Sequence, residues 1–375
     1  MSEKREIRSL TGLRGVAACM VMFFHASLPP GAGDGGPFLI IIRHGYLWVD
    51  FFFVLSGFVM ALTYSRDFLA RGTARAFPAF IAQRIARIWP LYIFASVVML
   101  PFSPVWHGGA TTWLQVTGRA VANLLMIQSW GFSPSMNLNA WSISTEWLAY
   151  MTFPALLWLA LRSGKHTSMI VAAGCVLILC GLTWLPAIAI WQGGLATNDP
   201  YSANPLFRCL AEFTLGLLAF RASQIFQGQA VAASRVAAPM ICILIVALFT
   251  TSALDAVIAA LFPLLVLSLS QDRGVVARML GSKPIHWLGM LSYSIYLLHP
   301  LFSEIRWHLQ WRLEAANVPH AAFLPVLIML CGTILASMLT LYYVERPGRM
   351  LLRRALEPKR KPTSIEQGTL AVPQL

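Results

Sequence analysis

The sequence predicts an all-α polytopic membrane protein with about ten transmembrane helices and both termini on the cytoplasmic side. Three observations predict it. Hydrophobic residues make up 57% of the 375-residue chain and charged residues only 11%, where a soluble domain carries about 25% charge. The mean hydropathy of +0.66 is more apolar surface than one aqueous core hides, so lipid must act as solvent. Finally, the apolar residues gather in runs of spanning length, and the basic residues collect in alternate intervals between them.

The runs are 9–28, 47–64, 88–103, 141–161, 168–190, 205–222, 236–253, 254–270, 285–302 and 321–344. The first has the basic start of a secretory signal (Lys4, Arg5, Arg8), but Arg14 and His25 interrupt its apolar core and no small-residue cleavage site precedes Pro29. It therefore reads as a span. The third is short, and the seventh and eighth adjoin almost without a loop. Outer loops 29–46 and 101–140 are the longest excursions, rich in Gly, Pro and Trp. Residues 1–348 form one membrane domain, and 349–375 a basic, then polar tail without periodicity that reads as disordered. No internal repeat or inverted symmetry is visible, which counts against a secondary transporter.

The formal net charge is +13, a value that suggests nucleic acid when it forms a stripe on a soluble face. Here 22 of the 28 Lys and Arg fall in the inner segments, four (Arg43, Arg119, Arg306, Arg312) in outer loops, and Arg14 and Arg208 within the membrane. The charge is topology, and no nucleic-acid partner is expected. The six cysteines (Cys19, Cys175, Cys180, Cys209, Cys242, Cys331) all lie inside apolar runs without metal-ligand spacing. They read as small buried hydrophobes, and no metal is expected.

Intramembrane charges are costly and mark function by default. Depth along the runs sorts them into an outer layer of His25, Asp50, Glu146, Arg208, Glu212 and His299 and an inner group of Arg14, Arg84, Arg87 and Glu345. Arg14 and His25 are eleven residues apart, which places both on one helix face about 16 Å apart along the axis. Blander roles compete. Arg84 and Arg87 suit positive-inside anchors, Arg208 and Glu212 suit a structural i, i+4 ion pair, and Glu345 suits an ordinary helix end.

The motifs then shift the weight. Leu13-Arg14-Gly15 with Phe24-His25, the stretch Gly45–Phe58, Arg84-Ile-Ala-Arg87 with Pro90, and Trp141–Glu146 (WSISTE) occur in that order. They are followed by Arg208–Gly216, Ser292–His299 (SYSIYLLH) and Tyr342–Pro347 (YYVERP). Together they resemble the acyltransferase-3 family of integral membrane acyltransferases. Thr145 and Trp147 depart from the commoner residues beside the glutamate.

The resemblance implies transfer of an acyl group, acetyl first, from cytoplasmic acyl-CoA to a hydroxyl of a cell-surface or exported polysaccharide or its lipid-linked precursor, at a bacterial inner membrane. Acyl-CoA is then a co-substrate, with no permanently bound cofactor, and polysaccharide assembly or export machinery is an expected partner. His25 is the expected base, and Asp50 or Glu146 the carboxylate fixing its tautomer. Arg14, Arg84 and Arg87 are expected to hold acyl-CoA, whose arm suits the 16 Å estimated above. Ser142, Arg208, Glu212, His299 and Glu345 are supporting residues. The competing reading is a transporter or flippase using the same charges as a proton relay. A third is a scaffold of an export complex.

Overall fold

The computed structural model describes residues 6–26, 36–102, 112–185, 195, 201–226, 230–319 and 321–356. Among these the chain is almost wholly helical, with no strand. Among the described residues each expected apolar run falls on a helix, because a backbone in lipid has no partner for its polar groups but itself. We number the helices α1 (Arg8–Ala26), α2 (Gly36–Arg43), α3 (Trp48–Arg71), α4 (Thr73–Val98), α5 (Trp113–Leu124), α6 (Trp141–Arg162) and α7 (Lys165–Trp184). They continue with α8 (Asn204–Ile225), α9 (Ala230–Leu248), α10 (Asp255–Leu269), α11 (Val275–Leu280), α12 (Lys283–Ala315), α13 (Phe323–Thr340) and α14 (Arg346–Leu356).

Five helical segments are long and apolar enough to cross a bilayer: Arg8–Ala26, Gly45–Arg71, Lys165–Trp184, Ser252–Leu269 and Phe323–Leu356. The other long helices carry ionisable residues, such as Arg84 and Arg87 on α4 and Arg208 and Glu212 on α8. Large apolar side chains face outward along the bundle, among them Trp158, Leu177, Ile243, Leu327 and Leu335, as lipid solvent requires.

Three elements differ from expectation. Helix α4 starts at Thr73 rather than near residue 88, since polar residues and Pro78 interrupt the apolar run but not the helix. Arg84 and Arg87 thus lie about 17–21 Å along it, away from its end. Helix α12 runs 33 residues, to Ala315, because the polar stretch after residue 302 keeps helical propensity that a hydropathy window does not register. At the C-terminal end, a π-turn (Leu341–Glu345) leads into α14, eight residues into the expected tail; residues 357–375 lie outside the described residues. The cysteines are free, but Cys331 is exposed, so its apolar run marks a lipid-facing position, not a core one.

Two glycine seams set the helix spacing. A Cβ on Gly289 of α12 would meet the Thr11 carbonyl of α1, and one on Gly15 would meet the Gly289 backbone. Likewise Gly57 of α3 lies on the Phe213 carbonyl and Gly216 of α8 on that of Val54. Without side chains between them the backbones touch, as membrane helix pairs do at small residues.

Candidate active site

Between these seams lies a cavity of about 200 Å³, lined by Arg14, Arg84, Arg87, Glu146, Tyr150 and Tyr296 among others. The α1–α12 seam positions Arg14. Its Nε donates to Ser292 Oγ at 2.8 Å and its terminal nitrogen to the Gly289 carbonyl at 2.9 Å. Arg84 donates to the Tyr64 hydroxyl at 2.6 Å and stacks on that ring, and its buried Nε finds no partner among the described residues. One turn on, Arg87 pairs with Glu345, which the π-turn presents and which also accepts from Ser294 Oγ at 3.2 Å.

Glu146 shares this cavity. It accepts from the Tyr150 hydroxyl at 2.5 Å, and Tyr150 lies 3.3 Å from Ser56 Oγ. The expected outer layer therefore divides. Because α4 begins early, Arg84 and Arg87 reach the depth of Glu146, and the inner and outer groups meet there.

A second cluster takes Asp50 and Arg208. Arg208 Nε donates to Asp50 Oδ1 at 2.7 Å, its terminal nitrogen to the other oxygen, and its guanidinium lies over the Trp141 ring. The expected Arg208–Glu212 pair is not the one formed. Asp50 comes from α3, which the Gly57–Gly216 seam presses against α8, and its fork-to-fork geometry displaces the i, i+4 partner. Glu212 is fully buried beside Asp50, and among the described residues neither of its oxygens accepts from a side-chain or backbone N–H.

His25 and His299 form the third cluster, their ring centroids 4.9 Å apart. His25 Nδ1 lies 2.9 Å from the Val21 carbonyl and 3.3 Å from His299 Nε2. The carboxylate expected to orient His25 is thus replaced by a backbone carbonyl and a second histidine, since Asp50 and Glu146 are engaged elsewhere.

The cavity and the histidines are joined by polar groups. Tyr296 and Ser142 line the cavity and lie 2.7 Å apart, hydroxyl to hydroxyl. Both lie 3.2 Å from the Asn139 carbonyl, which accepts from whichever hydroxyl is not donating to the other, and the Asn139 side chain reaches His299 Nε2 at 2.7 Å. Among the described residues no cluster of His, Cys, Asp and Glu could hold a metal.

Several of these residues escaped sequence reasoning. Ser56, Tyr296 and Ser292 lie inside quoted motifs, where a polar residue in an apolar run was the available signal. Tyr150 and Tyr64 carried the same signal inside runs 141–161 and 47–64, and Asn139, outside every run, carried none.

The chain is 29% identical to the acyltransferase MdmB of Streptomyces mycarofaciens, the match covering 92% of each protein. It is 23% identical to the peptidoglycan O-acetyltransferase OatA of Listeria monocytogenes over 79% of this chain and 49% of that protein. With the putative peptidoglycan O-acetyltransferase YrhL of Bacillus subtilis it shares 22% identity, over 92% of this chain and 55% of that protein. The chain thus spans about half the length of these two relatives. No solved structure matches it. The model of the family described as an acyltransferase domain matches residues 7–342, an interval holding every residue of the cavity and the histidine pair, and the chain accordingly belongs to the acyltransferase-3 family of membrane-embedded acyltransferases.

Proposed function

We propose that the protein moves an acyl group, acetyl first, from cytoplasmic acyl-CoA to a hydroxyl of a surface or exported glycan, or of its lipid-linked precursor. The carrying observation is the polar chain from the arginine-lined cavity through Tyr296, Ser142 and Asn139 to His299 and His25. Arginine forks suit the donor's phosphates, and the orphaned Arg84 Nε is a donor that a phosphate oxygen satisfies. Two relatives are named peptidoglycan O-acetyltransferases, which favours a glycan hydroxyl as acceptor.

In this reading His25 Nε2 takes the hydroxyl proton as the oxygen attacks the thioester carbonyl. The carbon–sulfur bond then breaks, and the departing thiolate takes up that proton from His25 to leave as the free thiol. Arg14, Arg84 and Arg87 hold the donor, with Glu345 orienting Arg87. Asp50 and Arg208 pin α3 to α8, with Glu212 buried beside them. The protein belongs in a bacterial cytoplasmic membrane, crossing it ten times with both ends inside. Donor and acceptor then enter from opposite faces.

The test uses sealed vesicles of known orientation, labelled acetyl-CoA on one side and glycan acceptor on the other. Acylated glycan is expected with CoA on the cytoplasmic face. A requirement for both substrates on that face removes the two-sided arrangement, and absence of any covalent product favours a transporter.

A further inference from the structure

The short turn Leu138–Ala140, just before α6, ends against the histidine pair. It is held there from both sides. Asn137 donates to the Leu297 carbonyl of α12 at 2.7 Å, and its own side-chain oxygen accepts from the Asn139 backbone N–H at 3.2 Å. The Asn139 carbonyl lies 3.2 Å from both the Tyr296 and the Ser142 hydroxyl. Upstream, Gln128 donates to the Ala140 carbonyl at 3.1 Å, and Trp130 Nε1 to the Ser144 carbonyl at 2.9 Å. Asn139 itself is buried. So many ties to α6 and α12 leave its amide one direction, toward His299.

The proton positions follow from the partners. His299 Nδ1 lies 3.0 Å from the Ile295 carbonyl, and a carbonyl only accepts, so Nδ1 carries the hydrogen. A neutral ring then has a lone pair on Nε2, and the Asn139 Nδ2 at 2.7 Å donates to it. His25 obeys the same rule: its Nδ1 gives its one hydrogen to the Val21 carbonyl at 2.9 Å, with His299 Nε2 farther off at 3.3 Å. Its lone pair is therefore on Nε2, which forms no hydrogen bond among the described residues. With the hydrogen of His299 on Nε2 instead, three donors would converge and the Ile295 carbonyl would lose one. The remaining neighbours are the Phe24 and Tyr296 rings and Ser303, whose hydroxyl donates to the His25 carbonyl. Among the described residues no carboxylate or guanidinium hydrogen-bonds either imidazole.

We propose that Asn139 is a positioning residue for acyl transfer: its side-chain N–H fixes the proton arrangement of the His299–His25 pair and leaves His25 Nε2 as the base. This rests on the reading of His25 as that base. In a hydrolytic triad a carboxylate orients the histidine. Here an amide acting through a second histidine does so, without putting an anion beside the base.

The experiment pairs kinetics with ¹⁵N NMR of histidine-labelled protein in lipid nanodiscs, the two rings assigned by signals lost in His25→Gln and His299→Gln. In the unaltered protein both rings should show a protonated Nδ1 and a bare Nε2. Asn139→Asp is nearly isosteric but offers only acceptors, so it should make His299 doubly protonated. It should lower kcat about tenfold or more while KM for acetyl-CoA stays within about twofold. A hydrogen on His25 Nε2 in the unaltered protein overturns the proposal, as does a folded Asn139→Asp protein with unaltered kcat. If Asn139→Asp fails to accumulate, the tautomers of the unaltered protein decide. Failure to acylate any acceptor refutes the acyl-transfer reading instead, and the ¹⁵N spectrum still reads the proton positions.

Discussion

Arg87 bonds Glu345 across the gap between α4 and the end of α13, and Ser294 holds the other carboxylate oxygen. Arg84, one turn earlier, rests on the Tyr64 hydroxyl with its Nε unpaired. Two arginines of one motif therefore differ in how far the protein itself satisfies them.

Lysine substitution separates the two. Arg84→Lys keeps the charge but loses the planar fork, and should raise KM for acetyl-CoA several-fold with little change in melting temperature. Arg87→Lys should also weaken the fold by about 1–3 kcal/mol, since buried Glu345 loses a matched partner. Kinetics and melts of purified protein check both. Unchanged kinetics in Arg84→Lys would return that residue to the role of a topological anchor.

Loss of the His25 imidazole should stop turnover and spare the fold. Its ring touches the Phe24 and His299 rings and a backbone carbonyl and forms no ion pair among the described residues, so His25→Gln and His25→Ala should insert and melt much like the parent. Acetyl transfer should fall at least about a hundredfold, the low end for general-base loss. Well-expressed His25→Ala membranes with normal activity would refute the assignment.

Asp50 should behave as a structural residue. Removing one partner of a buried ion pair costs about 3–5 kcal/mol because the other charge stays buried. Asp50→Ala and Arg208→Ala should each lose most folded protein, as followed by fluorescence-detected chromatography. An Asp50→Ala protein that is stable but inactive would instead place this carboxylate in the chemistry.

The α1–α12 seam gives the most local test. Gly289→Ala puts a methyl group onto the Thr11 carbonyl, and such overpacking costs about 1–3 kcal/mol. It also moves the acceptor of Arg14. Thermal stability and acyl-CoA affinity should fall together, whereas Gly164→Ala, with open space around its Cβ position, should change neither.

Much of the fold was legible because lipid forces apolar residues into long helical runs. The placing of α4 and the reach of α12 were not, since hydropathy registers solvent preference rather than helix propensity. The site divides similarly. Arg14 and His25 could be put on one face by helical period alone, and both do turn to α12, at Gly289 and His299. The partner of Arg208 could not, because spacing within one helix offers Glu212, and only packing brings Asp50 from 158 positions away. The amide of Asn139 was equally hidden, lying in a turn with no periodicity to read.

The α1–α12 seam also makes a ruler. These two helices run parallel, so the rise from Arg14 to His25 on one is matched by that from Gly289 to His299 on the other, about 15–16 Å on each. Touching backbones cannot slip without a carbonyl meeting a neighbouring Cβ, so the two graduations stay aligned. In the proposed reaction such a ruler measures from the anchored phosphates to the carbonyl carbon and no further. It gauges the carrier arm rather than the acyl tail, and discrimination among tail lengths falls to the walls beyond the histidines.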